Sequence, residues 1–391
     1  LLQYQDRVSW WNSPVTRPNL YTFYVSDSNV FVWVVKALNA CHGEFVHLGF
    51  KGGLSLALKV SMMKFITAFF VCLFANVSSF ATPMGEQLSY FIQHPEATLT
   101  LKQQTALSQF QFVFLGGYMN EVVRKQYFDV SAETLQAMGV DDISILFPSS
   151  TQSADLSSQE LVKELRKIHK SNPKPIIFIG HSMGGLIGAA AMIRDPNLIL
   201  SGIVTEAVFV QSPIAADSFL DQQGIFGRTV STALRISSGH NSLYTPHVQR
   251  LISEPLQRMD PTVRARLSQK MKYVISSKGM KDSAFALRFM SSFFGVDIDY
   301  DGLVGTMDMY LPGFGIVLGK LVADHLELFI NNRMLIGDNF NVEVIRAFMK
   351  SLAIAILESR DSRNHEYYDL TAKLRAEWKA PPKACGSFFG I

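Results

Sequence analysis

The sequence predicts an α/β fold, a mostly parallel sheet with helices on both faces. Three observations carry this. From Thr82 onward, short β-branched and aromatic runs alternate with stretches of helical spacing. One apolar run passes straight into a small-residue helix through Gly180–Gly185, GHSMGG. No internal repeat or low-complexity tract interrupts the alternation.

The elements follow in order. Residues Gln109 to Leu115 (QFQFVFL) read as a strand ending at Gly116 and Gly117, and a helix is expected from Glu121 to Met138. The next strand is Ile143 to Phe147, followed by a helix over SSQELVKELRKIHK with a serine cap at Ser157 or Ser158 and apolar spacing at Leu161, Leu165 and Ile168. Ile176 to Ile179 is a buried strand by its β-branched and aromatic content, entered through Pro173 and Pro175. Later strands are expected at Gly202 to Val210 and Lys272 to Ser277.

The first eighty residues differ in character. The chain starts LLQYQDRV, and its first methionines are Met62 and Met63. From Met63 the text has the three parts of a secretory signal: Lys64, an apolar core from Phe65 to Ala75, and a polar end with small residues at Ser79 and Ala81. The apolar core is shorter than the ~20 residues a membrane span requires. The expectation is an exported protein, with 1–62 an upstream extension, 63–81 the signal peptide and 82–391 the folded domain. The alternative is a genuine N-terminal segment in which Val30 to Leu38 forms a strand or short anchor.

Composition is globular across the 391 residues, 48% hydrophobic and 18% charged, with a net charge of +3 and no long charged block. Nothing here argues for nucleic-acid binding. The three cysteines, Cys41, Cys72 and Cys385, have neither metal-ligand spacing nor a disulfide framework.

The chemistry centres on GHSMGG. Strand, tight turn and helix form the context a G-x-S-x-G nucleophile requires: Gly180 and Gly184 permit the turn and the close approach of helix to strand, and Ser182 sits at its tip. The N–H of Met183 opens the following helix, where unpaired donors favour negative charge, so it is a candidate oxyanion donor. The bland alternative is a Gly-Ser turn without chemistry. A serine hydroxyl needs a general base, and the base an orienting carboxylate, following Ser182 in the chain. Of the nine histidines, five precede the serine, with His181 aimed away from Ser182 by the turn. His240 and His247 lie in a polar, arginine-rich stretch and His365 in a surface-like tail. His325, in GKLVADHLELF after the Gly-rich loop LPGFGIVLGK, is the candidate base. For the acid, DIDYDGLVG offers Asp297, Asp299 and Asp301; Asp301 precedes Gly302 and an apolar anchor, with Asp217 as its rival.

GHSMGG, DYDGLVG and ADHLELF, in this order, resemble the bacterial secreted lipase and esterase branch of the α/β-hydrolase family, over roughly Gln109 to Glu358. QSPIAADS is similar to the turn those lipases carry after the strand that follows the nucleophile. The resemblance implies an α/β-hydrolase fold, Ser182 as nucleophile, Asp301 as acid and His325 as base, with no cofactor and no metal. The first oxyanion loop departs from the usual H-G pattern and reads FLGGYMNE, so the second donor is Gly117 or Tyr118.

The stretch from Ile214 to Lys272 is longer than a minimal domain needs and carries eight basic against four acidic residues. It is expected to form a helical cap or lid, resting on a lipid surface or simply solvated. Phe285, Phe289, Met290, Phe293 and Phe294 are either core or an acyl-pocket wall. The expected activity is cleavage of carboxylic esters, lipid esters foremost. Alternatives are a thioesterase, amidase or polyester depolymerase on the same triad, or a non-catalytic lipid-binding protein.

Overall fold

The computed structural model describes residues 82–117, 126–148, 152–215, 249–278, 283–284, 287, 301–337, 340–360 and 366–379. The six strands are β1 (Gln111–Leu115), β2 (Ile143–Leu146), β3 (Ile176–His181), β4 (Val204–Val210), β5 (Met271–Ser276) and β6 (Ile316–Leu321). They form one sheet in the order β2-β1-β3-β4-β5-β6, every neighbouring pair parallel. The described helices are α1 (Pro83–Gln93), α2 (Leu101–Leu107), α3 (Asp129–Ala137), α4 (Ala154–Ser171), α5 (Met183–Arg194), α6 (Asn197–Leu200), α7 (Glu254–Arg258), α8 (Pro261–Lys270), α9 (Arg333–Ile336), α10 (Val342–Glu358) and α11 (Glu366–Lys379).

Successive side chains of a strand point to opposite faces, and a parallel sheet buries both. Val113 and Leu115 of β1, Ile176 and Phe178 of β3, and Ala207 and Phe209 of β4 share one core with α4, α5, α6 and α8. Phe112 and Phe114, Ile177 and Ile179, and Val208 and Val210 face the other core, built with α1, α2, α3 and α10. The expected two-sided α/β architecture is therefore what the chain adopts. Strand order reverses between β1 and β3, and in open α/β sheets the carboxyl ends of the strands at such a point are where sites are built.

Several expected elements shift. Helix α4 begins at Ala154, because the hydroxyl of Ser153 accepts the N–H of Leu156 and caps it; Ser157 and Ser158 lie inside the helix, buried. Of the helix expected over Glu121–Met138, α3 covers Asp129–Ala137, and residues 121–125 lie outside the described residues. The Gly-rich stretch before His325 contains β6, since Ile316, Val317 and Leu318 alternate between the two cores despite the flanking glycines. Within the expected lid, residues 249–272 belong to the α/β layers. Leu251, Ile252, Leu256 and Leu267 are buried in the first core, and α8 is the crossover leading into β5. The remainder of the expected lid, 216–248, lies outside the described residues together with Asp217, His240, His247, Asp297, Asp299, His365, the three cysteines, the five candidate acyl-pocket residues and the segment 1–81. Among the described residues no helix is long and apolar enough to cross a membrane.

Candidate active site

Strand β3 runs to His181 and α5 starts at Met183, so Ser182 alone makes the turn between them. Its backbone takes φ 56° and ψ −127°, a region that L-residues avoid and that costs of the order of 1–3 kcal/mol. Backbone hydrogen bonds hold it there: the Ser182 N–H donates to the Val210 carbonyl at 3.0 Å, and the Ser182 carbonyl accepts from Gly185 at 3.0 Å. Gly184 allows the turn for a steric reason. A Cβ on it would lie 2.2 Å from the Leu115 carbonyl oxygen, so any side chain would push α5 off the end of β1.

The other two candidate residues arrive from beyond β5 and β6. His325 follows β6, and its Nε2 lies 2.8 Å from the Ser182 hydroxyl. Its Nδ1 lies 2.7 Å from Oδ2 of Asp301, and its backbone N–H donates to the Asp301 carbonyl at 2.9 Å. The second carboxylate oxygen of Asp301 accepts the N–H groups of Leu303 at 3.0 Å and Val304 at 2.8 Å. Gly302 makes this loop possible with φ 101°. Asp301 is wholly buried, His325 is 3% exposed, and Ser182 is half-buried. With an acceptor-only carboxylate at Nδ1, the histidine carries its proton there and presents a bare Nε2 to the serine hydroxyl. The structure thus brings Ser182, Asp301 and His325 into one line of hydrogen bonds.

Of the candidate oxyanion donors, Met183 is the first residue of α5, where an N–H lacks an intrahelical partner. Gly117 lies against the nucleophile: a Cβ on it would be 2.8 Å from the Ser182 Cβ. Its N–H, however, donates to the hydroxyl of Tyr127 at 3.0 Å and is committed inside the protein. Tyr118 lies outside the described residues.

The base-bearing loop is held by residues that the sequence does not single out. Asp324 is wholly buried; its Oδ1 accepts from Leu326 and Glu327, and its Oδ2 from Ala284 at 2.7 Å. Burial raises the pKa of Asp324, against the pull of these N–H groups and of Lys278. Burial and then the charge of Asp324 raise that of Glu327, which pairs with Lys278. The pattern D-H-L-E, an acid followed three residues later by another around a turn, is the one sequence signal for this device. His181 points away from Ser182, as the turn geometry predicts, yet its ring centroid is 4.9 Å from that of His325.

The deciding comparison is with solved structures. The metagenomic carboxyl esterase MGS0156 is similar with a TM-score of 0.50 at 17% identity, covering 64% of this chain and 76% of that one. The chain has the α/β-hydrolase fold. Lipase BlEst2 of Bacillus licheniformis, in mature form, is similar at a TM-score of 0.44 and 17% identity, covering 63% of this chain and 91% of that one. Phospholipase PlaB of Legionella pneumophila is similar at 0.41 and 14%, covering 68% and 63% respectively. The family described as PGAP1-like alpha/beta domain matches residues 150–297, a stretch that includes Ser182 and ends before Asp301 and His325. No curated protein matches the chain.

Proposed function

We propose that the protein is a serine hydrolase of carboxylic esters, with lipid-like acyl esters as its substrate class. The single observation that supports it most is the continuous line from Ser182 through His325 to Asp301, with spacings of 2.8 and 2.7 Å. Serine is a weak nucleophile unless a base removes its proton as it attacks, and hydrogen-bond reach is the geometric condition for that transfer. A fold shared with a carboxyl esterase is consistent with this reading.

In the proposed reaction, His325 Nε2 takes the Ser182 proton as Oγ bonds to the acyl carbon. The carbonyl π electrons move to oxygen, and the N–H of Met183 and that of Tyr118 stabilise the oxyanion. The N–H of Gly117, the other candidate, donates to the Tyr127 hydroxyl, which favours Tyr118. The tetrahedral adduct collapses, the bond to the leaving alkoxide breaks, and His325 passes its proton to that oxygen. Water then attacks the acyl-enzyme with His325 again as base, releasing the acid and restoring the serine. Asp301 orients the ring and stabilises the imidazolium, its other carboxylate oxygen held by the two backbone N–H groups behind it.

The test is hydrolysis of p-nitrophenyl esters of short and long acyl chains by the protein and by Ser182→Ala, with matched thioester and amide substrates beside them. Turnover that vanishes with Ser182 supports the hydrolase, and preference for long-chain esters supports the lipid-like class. Equal inertness of both proteins, with no labelling of Ser182 by a fluorophosphonate, would overturn it in favour of a non-catalytic role.

A further inference from the structure

Behind the triad a second buried chain of polar groups crosses the carboxyl edge of the sheet. It involves Tyr127 (2% exposed), His181 (1%), and Gln211, Ser276 and Asp324, all wholly buried. Its direction follows from one end. The Gln211 Nε2 lies 2.7 Å from the backbone carbonyl of Asp324 and 2.7 Å from the Ser276 hydroxyl. A carbonyl only accepts, so the amide NH2 faces it, and the Gln211 Oε1 is the atom 3.1 Å from His181 Nε2. An acceptor there requires the proton of His181 to sit on Nε2, which leaves Nδ1 bare. Tyr127 hydrogen-bonds to that Nδ1, and so donates its O–H to it. The phenolic oxygen remains to accept the Gly117 N–H. Donor and acceptor thus match at each link from Gly117 to the Asp324 carbonyl. Burial, with the neighbouring His325 adding to it, holds the pKa of His181 well below the ordinary value, consistent with a ring that stays neutral.

The two ends of this chain are informative. One is Gly117, which precedes the oxyanion donor proposed at Tyr118; the other is Asp324, which precedes His325. A second line of evidence lies in the backbone. Among the described residues, three non-glycines have positive φ: Phe128 at 66°, Ser182 at 56° and Gln211 at 52°. Phe128 adjoins Tyr127, Ser182 adjoins His181, and Gln211 is itself a link. Strain of this kind persists only where surrounding contacts over-determine it, and here it gathers around one hydrogen-bond chain.

We propose that Tyr127, His181 and Gln211 are positioning residues that hold the oxyanion turn at Gly117 and the general-base loop at Asp324 in register with Ser182. This deepens the serine-hydrolase reading and rests on it. None of the three touches the reacting atoms. Their effect arises because an oxyanion donor is worth about 100- to 1000-fold in kcat and a displacement of about 1 Å can forfeit much of that.

The experiment uses the full chain and its variants Tyr127→Phe, His181→Leu, His181→Asn and the double variant Tyr127→Phe/His181→Leu, assayed on the ester the wild type cleaves best. Tyr127→Phe removes one hydroxyl and keeps the ring packed on Phe128 and Phe147. The expected result is a fall in kcat of roughly 10- to 100-fold for Tyr127→Phe and His181→Leu with KM changed less than about threefold. His181→Asn retains an acceptor for Tyr127 and should recover part of the loss. The double variant should be no worse than His181→Leu, since a chain is broken once. In the wild type, imidazole 15N spectra should show His181 protonated on Nε2 and bare on Nδ1. The proposal is overturned if Tyr127→Phe and His181→Leu melt lower but keep kcat within about twofold, if the two losses multiply, or if His181 shows the opposite tautomer. A wild type without Ser182-dependent turnover would overturn the hydrolase reading itself, and the catalytic role of the chain with it; an active wild type with indifferent variants overturns this proposal alone.

Discussion

Replacing Asp301 by asparagine tests whether the triad works through the histidine tautomer. The side chain is isosteric and wholly buried, so the pocket keeps its shape. Two orientations are open to the amide. In one, its oxygen keeps the N–H groups of Leu303 and Val304, at 3.0 and 2.8 Å, and its NH2 faces His325 Nδ1. In the other, the oxygen faces Nδ1 and the NH2 confronts both backbone donors, leaving buried donors unpaired at about 1–3 kcal/mol each. The first orientation wins, and it forces His325 into the tautomer with its proton on Nε2, pointing at Ser182, where it cannot accept. In a serine triad this exchange lowers kcat by roughly 10⁴-fold, equivalent to about 5.4 kcal/mol of transition-state stabilisation. The assay is steady-state hydrolysis of a p-nitrophenyl ester at pH 7–8, with KM measured separately. An Asp301→Asn protein whose kcat stays within tenfold of the wild type would refute the tautomer argument and the assignment of the acid.

Four further outcomes follow from named contacts. Ser182→Gly should unfold at higher denaturant than Ser182→Ala by about 1 kcal/mol, since both lose the hydroxyl but only glycine relieves the strained turn; equal midpoints would show that no strain is stored there. Gly184→Ala should cost about 1–3 kcal/mol and depress activity more than stability, because the added methyl meets the Leu115 and Gly116 carbonyls at 2.2 and 2.6 Å; a fully active, equally stable variant contradicts the close approach. Glu206→Gln should destabilise by roughly 3–5 kcal/mol, since buried Glu206 faces Lys270, Lys272 and Arg360 at 3.2, 3.3 and 3.4 Å and Lys272 is itself buried; a loss below 1 kcal/mol in urea unfolding would show the cluster to be dispensable. Because the pKa of His181 is lowered by folding, the unfolded chain binds its proton more readily at acid pH, so this contribution is complete above about pH 6.5 and is lost as pH falls. His181→Asn should therefore flatten the decline in stability between pH 6.5 and 5 by up to about 1.4 kcal/mol per pH unit, and an unchanged slope would contradict a neutral His181.

How much of the site was legible depends on how local each feature is. Ser182 announces itself because strand, turn and helix are contiguous, and the small residues that permit the turn are its own neighbours. Asp301 and His325 were readable from chain order and from the loops around them. The strand β6 was hidden, because Gly313, Gly315 and Gly319 give its surroundings the look of a loop; what makes it a strand is Lys272 to Ser276 running alongside to pair with it. The cap was overdrawn for a related reason. The sequence shows that an insertion exists but not where it rejoins the core, and Leu251 to Leu267 do so early. The hydrogen-bond chain left little trace, since Gln211 and Asp324 are 113 residues apart and Tyr127 has no motif around it.

The sequence by itself determined the class of fold and the nucleophile turn, because both rest on short-range physics: the two-residue period of buried strands, the tolerance of glycine for a sharp turn, and the helix that starts beside the serine. Only the tertiary structure decided that the N–H of Gly117 is spent on Tyr127, which groups His181 is bonded to, and how Asp324 anchors the base. Those depend on the order in which parallel strands lie side by side, which places the carboxyl ends of β1, β3, β4, β5 and β6 along one edge however far apart they stand in the chain.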